Sequence, residues 1–143
     1  TESMVGLLRG GVAVNAYDVR ANASLASELL AQADQTGSSP DEAIEMYKRT
    51  VNLLPNGWQP KRALGAALLH VGRPMDALSV LSAALTAAQG TSGEPEVLLL
   101  RAQTYLDLGR DDEARADLMG AVEFSGDESL VERIQSKLDL MSP

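Results

Sequence analysis

The segment Asp41-Glu42-Ala43-Ile44-Glu45-Met46-Tyr47 recurs twice further along the chain and decides the fold class. It aligns with residues 75–81 and again with residues 112–118. The alanines at the third position of the three copies, Ala43, Ala77 and Ala114, lie 34 and then 37 residues apart. A period of this length is typical of helical repeat proteins, in which each repeat packs on its neighbours.

The sequence before each repeated segment predicts a second helix in every unit. Residues 64–72 align with residues 101–109 at the same offset of 37, and both stretches end in glycine. Gly72 and Gly109 suit the left-handed residue that ends a helix, and Pro74 suits the first turn of the next helix. Each unit is therefore a predicted helical hairpin, and the glycine-containing stretch 89–93 is a lengthened loop that accounts for the three extra residues.

The composition agrees with helix packing. Hydrophobic residues make up 45% of the chain but aromatic residues only 3%, so Ala and Leu must fill a core between closely spaced helices. Ser39-Pro40-Asp41-Glu42 predicts a capping box with Pro40 at the first helical position. The predicted helices span residues 24–36, 40–54, 58–71, 74–88, 95–108, 111–124 and 127–141.

The two ends of the chain differ in clarity. Residues 127–143 predict a C-terminal capping helix, because one face carries only large apolar residues, Leu130, Ile134, Leu138 and Met141. In residues 1–23, Gly10-Gly11 is expected to interrupt a short helix. This segment is predicted as a degenerate first hairpin, an ordered arm, or the tail of a preceding domain, and the first residue, Thr1, suggests a processed form or a fragment.

The pattern resembles the tetratricopeptide repeat, a two-helix unit of 34 residues. The resemblance covers residues 24–126, and it is strongest in the third unit, where the matching residues are Leu98, Ala102, Tyr105, Gly109, Ala114, Leu118 and Ala121. It implies an all-α fold: a right-handed superhelical stack of about three antiparallel helix pairs, followed by the capping helix. Lys61 departs from the pattern, since the family usually places a large apolar residue there.

Several function classes are disfavoured by the residues present. The chain has no Cys and a single His, His70, so thiolate chemistry is excluded and a His-based metal or catalytic site has little material. The formal net charge of −8 disfavours binding of nucleic acid, because the chain repels the phosphate backbone. No apolar run approaches the roughly 20 residues of a membrane span, so we expect a soluble protein, cytoplasmic by default. We expect no enzyme activity, cofactor or metal.

The remaining motifs have structural explanations. The acidic pairs Asp41-Glu42, Asp111-Asp112 and Asp127-Glu128 fall in first turns of predicted helices, where they offset the helix dipole. His70 lies near a helix C-terminus for the same reason. The triplet Asn22-Ala23-Ser24 fits a glycosylation acceptor, which matters only in a eukaryotic secretory route.

The resemblance implies a binding surface on the concave side, lined by the first helix of each unit. The positions carried over are Gln59, Arg62, Ala66, Leu69, His70, Glu96, Leu99, Gln103, Leu106 and Asp107. Leu69, Leu99 and Leu106 either expose apolar area to a ligand or are covered internally, for example by the N-terminal arm. Trp58 is predicted to fill the core between repeats.

The implied function is an adaptor that holds a segment of another protein or peptide in this groove. Binding of a chaperone C-terminal tail is disfavoured, because Ala63, Glu96 and Leu100 replace the Asn and cations that one subgroup of the family uses as a clamp. The alternative function is a structural or self-associating segment of a larger helical-repeat assembly, without a ligand in the groove.

Overall fold

The computed structural model describes residues 3–15 and 17–141, and for residues 13 and 14 it describes the backbone only. The described residues form eight α-helices and no strand: α1 Met4–Val14, α2 Val19–Thr36, α3 Asp41–Leu53, α4 Trp58–His70, α5 Pro74–Ala88, α6 Glu94–Asp107, α7 Asp111–Phe124 and α8 Glu128–Met141. The fold is all-α, as the repeat predicts. The outer limits of the predicted segments, residues 1 and 143, lie outside the described residues.

Successive helices pack on each other, so the chain forms a stack of hairpins. The most extensive packing joins α2 to α3, α4 to α5, and α6 to α7, and these pairs correspond to the repeat units. Helix α1 packs on α2, and α8 packs on α7 at the opposite end. Helices α4 and α6, the first helices of adjacent units, also touch. This is the packing of an α-solenoid, in which each unit buries its apolar face against the next.

Small residues allow the helices of a hairpin to approach closely. A Cβ atom added at Gly65 of α4 would lie 2.4 Å from Cδ2 of Leu81 on α5. Leu81 is fully buried, as are Ala77 and Ala84 on the same helix. Leu81 therefore occupies the space that a side chain at position 65 would need.

The predicted helix-ending glycines are confirmed. Gly72 has φ of 80° and Gly109 has φ of 73°, both in the left-handed region. After α4, the backbone N–H of Arg73 donates to the Leu68 carbonyl at 2.9 Å, and the N–H of Gly72 donates to the Leu69 carbonyl at 3.1 Å. The same pair of bonds follows α6. Both helices thus end in Schellman motifs, which satisfy carbonyls that would otherwise lack donors.

The expected interruption at Gly10-Gly11 is wrong, because α1 continues through both glycines. The Ser3 hydroxyl accepts a hydrogen bond from the Gly6 N–H at 3.1 Å and caps the helix. Val12 packs with Leu25 on α2, and this burial outweighs the low helix propensity of glycine, about 1 kcal/mol per residue.

The start of α2 also differs from the prediction. The helix begins at Val19 and not near residue 24, since the Asp18 carboxylate accepts from the Ala21 N–H and provides the cap.

The predicted capping box at residues 39–42 does not form. Pro40 lies at the N-cap position without a side-chain cap, and the Ser39 hydroxyl accepts from the Asp41 N–H. Glu42 turns away from the helix start and pairs with Arg9 of α1. The Arg9 hydrogen bond lowers the pKa of Glu42, so this exposed contact between α1 and α3 weakens as the pH falls toward the carboxylate pKa.

Trp58 fills the space between the second and third units, as predicted. It packs against Ala84, Ala88 and Val97. A Cβ at Gly93, in the loop before α6, would lie 2.5 Å from the Trp58 indole, so only glycine leaves room for the ring. The lengthened loop at 89–93 is confirmed and ends against this side chain.

A buried ion pair joins α6 to α7. The Arg101 guanidinium donates twice to the Asp117 carboxylate, from Nε to Oδ2 and from Nη2 to Oδ1, both at 2.7 Å. The Asp117 side chain is only 7% exposed, and its hydrogen bond raises the pKa of Arg101 further. A bidentate pair of this geometry fixes the two helices in one register.

None of the described helices is both long enough and apolar enough to cross a membrane.

We predict that Gly65→Ala destabilises the domain by about 1–2 kcal/mol, because the added methyl group forces buried Leu81 out of position. The matched control is Gly10→Ala in α1, where nothing lies within 4 Å of the added Cβ. That change should stabilise by about 0.5–1 kcal/mol, since alanine loses less backbone entropy. Urea unfolding measures the change in unfolding free energy for both variants. If Gly65→Ala stabilised the domain as Gly10→Ala does, the close approach of α4 and α5 at Gly65 would be contradicted.

Candidate functional site

A cleft of about 610 Å³ opens between α6 and α8, and α4 closes one side of it. We call this cleft the groove. Its lining residues come from the first helices of two repeats, the capping helix and the core beneath: Arg62, Ala66, Glu96, Leu99, Leu100, Ala102, Gln103, Leu106, Leu118, Asp127, Ser129, Leu130, Arg133 and Lys137. Its volume lies within the range of sites that hold small molecules or peptide side chains, roughly 300–1,000 Å³.

The stacking of the units explains why these helices share one cleft. Helix α8 docks on the third unit through Ile134, which is fully buried against Leu98 and Leu118. The Arg115 guanidinium donates to the Met141 carbonyl at 2.9 Å and holds the end of α8. Helix α8 therefore stands beside α6, in the place that the first helix of a further repeat would take.

Six of the ten residues predicted for the binding surface line the groove together: Arg62, Ala66, Glu96, Leu99, Gln103 and Leu106. The leucines at 99 and 106 are partly buried, and the helix that covers part of them is α8. The N-terminal arm, which the sequence offered as one example of an internal cover, lies elsewhere, since α1 packs on α2 at the other end of the stack.

The other four predicted residues lie outside the lining of the groove. Leu69 packs on the core around Ile44 and Leu68, and Gln59 is exposed in the first turn of α4. His70 ends α4, and its Nε2 atom lies 2.8 Å from Oδ2 of Asp34 on α2, so it links the first two units.

Asp107, the last of the four, accepts a hydrogen bond from Gln103 Nε2 at 3.1 Å. This contact orients the Gln103 amide at the edge of the groove.

Both carboxylates in the lining of the groove already face a positive or hydrogen-donating group of the protein. The Nε atom of Arg62 is buried and has no hydrogen-bond partner among the described residues, and Oε2 of Glu96 lies 3.9 Å from it. Asp127 caps α8, since its Oδ1 atom accepts from the N–H groups of Ser129 at 2.9 Å and Leu130 at 3.3 Å. These carboxylates are thus directed at Arg62 and at a helix start.

The sequence prediction missed the wall that α8 contributes, which comprises Asp127, Ser129, Leu130, Arg133 and Lys137. A signal was available. Arg133 and Lys137 are four residues apart and flank the apolar stripe of the capping helix, so they share a face with Leu130.

The motifs with alternative chemical explanations have structural roles. Asp41, Glu42, Asp111 and Asp112 lie in first turns, as predicted. Asn22 is fully buried, and its Nδ2 atom donates to the Asp18 carbonyl at 2.8 Å, so the folded chain cannot present it for glycosylation. Across residues 3–15 and 17–141, no three His, Cys, Asp or Glu side chains group closely enough to hold a metal ion.

Solved structures with the same architecture identify the fold. A thermophilic tetratricopeptide (TPR) protein of Thermus thermophilus superposes with a TM-score of 0.78 at 23% identity, over 94% of this chain and 71% of that one. MamA superposes with a TM-score of 0.75 at 16% identity, over 96% and 74%. The type III secretion translocator chaperone SycD of Yersinia enterocolitica gives 0.72 at 19% identity, over 98% and 99%.

No protein-family model matches the sequence, and no curated protein sequence matches it either. The structural likenesses confirm that the chain has the tetratricopeptide fold, a solenoid of helical hairpins.

We predict that Ile134→Ala loosens α8 and opens the groove, since removing buried methyl groups costs about 2–4 kcal/mol. Amide hydrogen exchange should speed up in α8, while α4 and α5 keep their protection. The matched control is Leu140→Ala, at a position that is 87% exposed on the same helix. Unchanged exchange in the Ile134→Ala variant would contradict the docking role of this residue.

Proposed function

We propose that this tetratricopeptide-fold domain is a protein-interaction adaptor whose groove holds a segment of a partner protein. The observation that carries the proposal is the groove itself, an open cleft with four partly buried leucines, Leu99, Leu100, Leu106 and Leu130, on its walls. Apolar side chains that stay accessible in a concave cleft favour a partner that covers them.

Polar groups on the same walls support a specific orientation of that segment. Gln103 is positioned by Asp107 at 3.1 Å and offers its remaining amide groups to a partner backbone. Arg62 and Glu96 stand on the opposite side of the cleft from α8. Extended and helical segments are both bound by apolar anchors combined with a few polar contacts of this kind.

A longer segment would continue over α4, where Gln59, Leu69 and His70 stay predicted contacts. The translocator chaperone SycD, which the chain matches over nearly its whole length, supports a protein partner at a general level. Glu96 and Leu100 line the groove where a clamp for chaperone tails needs cations, so we propose a different ligand.

Catalysis, nucleic-acid binding and direct membrane insertion are not part of the proposed function. The net charge of −8 opposes phosphate backbones, and the acidic pairs at the helix starts stabilise those helices. Cytoplasmic location stays a prediction.

Filling the groove tests the proposal. Gln103→Trp places a large side chain in the cleft, and we expect it to abolish partner binding while the helical circular dichroism signal stays unchanged. Met119→Trp is the matched control, because Met119 lies on α7 outside the lining and is 59% exposed. Affinity capture with quantitative mass spectrometry should show proteins retained by the wild type and Met119→Trp but lost by Gln103→Trp. Identical protein sets for all three would sink the groove proposal.

One observation favours the alternative, in which the domain self-associates or forms part of a larger assembly. On α1, Met4 and Leu7 are 57% and 55% exposed at the N-terminal end of the stack. If copies join through this face, light scattering should give a mass that rises with concentration. Met4→Gln with Leu7→Gln should then restore the monomer mass, whereas a constant monomer mass of the unmodified chain would rule out self-association.

A further inference from the structure

The wall that α8 contributes to the groove carries two cations without protein partners. Arg133 and Lys137 both line the groove, and neither side chain forms an ion pair or hydrogen bond with the part of the chain that the structure describes. Several other arginines of this acidic chain pair with carboxylates; Arg73, for example, pairs with Asp76, and Arg110 with Glu113. The α8 wall thus brings together two cations, four residues apart, whose side chains have no carboxylate partner.

A third cationic group faces the same space from α4. The buried Nε–H of Arg62 has no acceptor within hydrogen-bond distance, and the nearest carboxylate oxygen, Oε2 of Glu96, is 3.9 Å away. A buried donor without an acceptor costs about 1–3 kcal/mol, so an incoming oxygen atom would be stabilised there.

The acidic groups of the groove do not cancel this excess of cations. Asp127 is engaged by two backbone N–H groups at the start of α8, and Glu96 faces Arg62. The lining holds three cations, Arg62, Arg133 and Lys137, against these two carboxylates, so the formal charge of the groove is positive in a chain whose overall charge is −8. A short segment experiences this local field, whereas an extended polyanion such as nucleic acid also experiences the repulsion of the whole surface.

We infer that the groove selects a segment of a partner protein in which an acidic residue stands beside aliphatic residues. An Asp or Glu carboxylate of that segment binds between Arg133 and Lys137 on the α8 wall, and Arg62 adds positive charge from the opposite side of the same groove. Its neighbouring aliphatic side chains pack on Leu99 and Leu106. This inference rests on the proposed function and adds the chemistry of the occupant, with charge complementarity as its basis.

The test selects random 12-residue peptides displayed on phage against the intact chain. Four forms are compared: wild type, Arg133→Glu, Gln103→Trp and Arg20→Glu. Arg133→Glu replaces one cation of the wall with a carboxylate. That carboxylate can pair with Lys137 four residues away, so neither position remains available to an acidic ligand. Arg20→Glu is the charge-matched control, since Arg20 is an exposed cation on α2 outside the groove.

Wild type and Arg20→Glu should enrich peptides in which Asp or Glu stands beside Leu, Ile or Val. In fluorescence anisotropy, changing the acidic residue of the best peptide from Glu to Gln should weaken binding about tenfold or more. Arg133→Glu should weaken the acidic peptide to a similar extent, Arg20→Glu by less than about twofold, and added salt should narrow the difference.

Two other outcomes separate the inference from the proposed function. Peptides that are lost with Gln103→Trp but show no acidic preference, or bind Arg133→Glu equally well, overturn the charge inference and leave the groove as a binding site. If the selection enriches no peptide whose binding is lost in Gln103→Trp, both the charge inference and the groove proposal are overturned.

Discussion

The close approach of paired helices, seen most clearly at Gly65, is the constraint on which the rest of the structure depends. Leu81 occupies the space beside Gly65, so α4 and α5 meet along a stripe that has no room for a larger residue. In the next unit Ala102 and Leu118 stand at the equivalent positions, both buried. A hairpin closed in this way leaves apolar surface on its outer faces, and stacking buries that surface. The stack aligns α4, α6 and α8, and their alignment produces the groove.

Local signals allowed most of the fold to be predicted from sequence. Helix-ending glycines such as Gly72 and small residues at a fixed period act over a few positions, so their effect is visible without tertiary information. The prediction at Gly10-Gly11 was wrong because a tertiary contact decides the structure there. Glycine propensity favours an interruption, but Val12 buries itself against Leu25, and this tertiary contact decides the outcome. The capping box failed similarly, because Glu42 found a partner in Arg9 of another helix.

The groove could be predicted only in part, because it depends on how helices dock. The repeat pattern placed Leu99 and Leu106 on the surface of α6, and both line the groove. The apolar stripe of α8 predicted that one face is buried, but not which neighbour it meets. Only the packing of Ile134 on the third unit brings Arg133 to the opposite wall. For the same reason the sequence did not show that Leu69 lies outside the lining of the groove and packs in part on the core.

Charges in this domain have two different roles. Arg101 and Asp117 satisfy each other through two hydrogen bonds of 2.7 Å, so they fix α7 against α6 and have little capacity left for a ligand. Arg133 and Lys137 lack such side-chain partners, and in the inferred complex a carboxylate of the partner segment replaces the water around them. That exchange favours binding only where apolar surface excludes solvent, because bulk water weakens the attraction between charges severalfold. In the inferred complex the groove leucines therefore supply most of the affinity, and the cations decide which leucine-bearing segments are accepted.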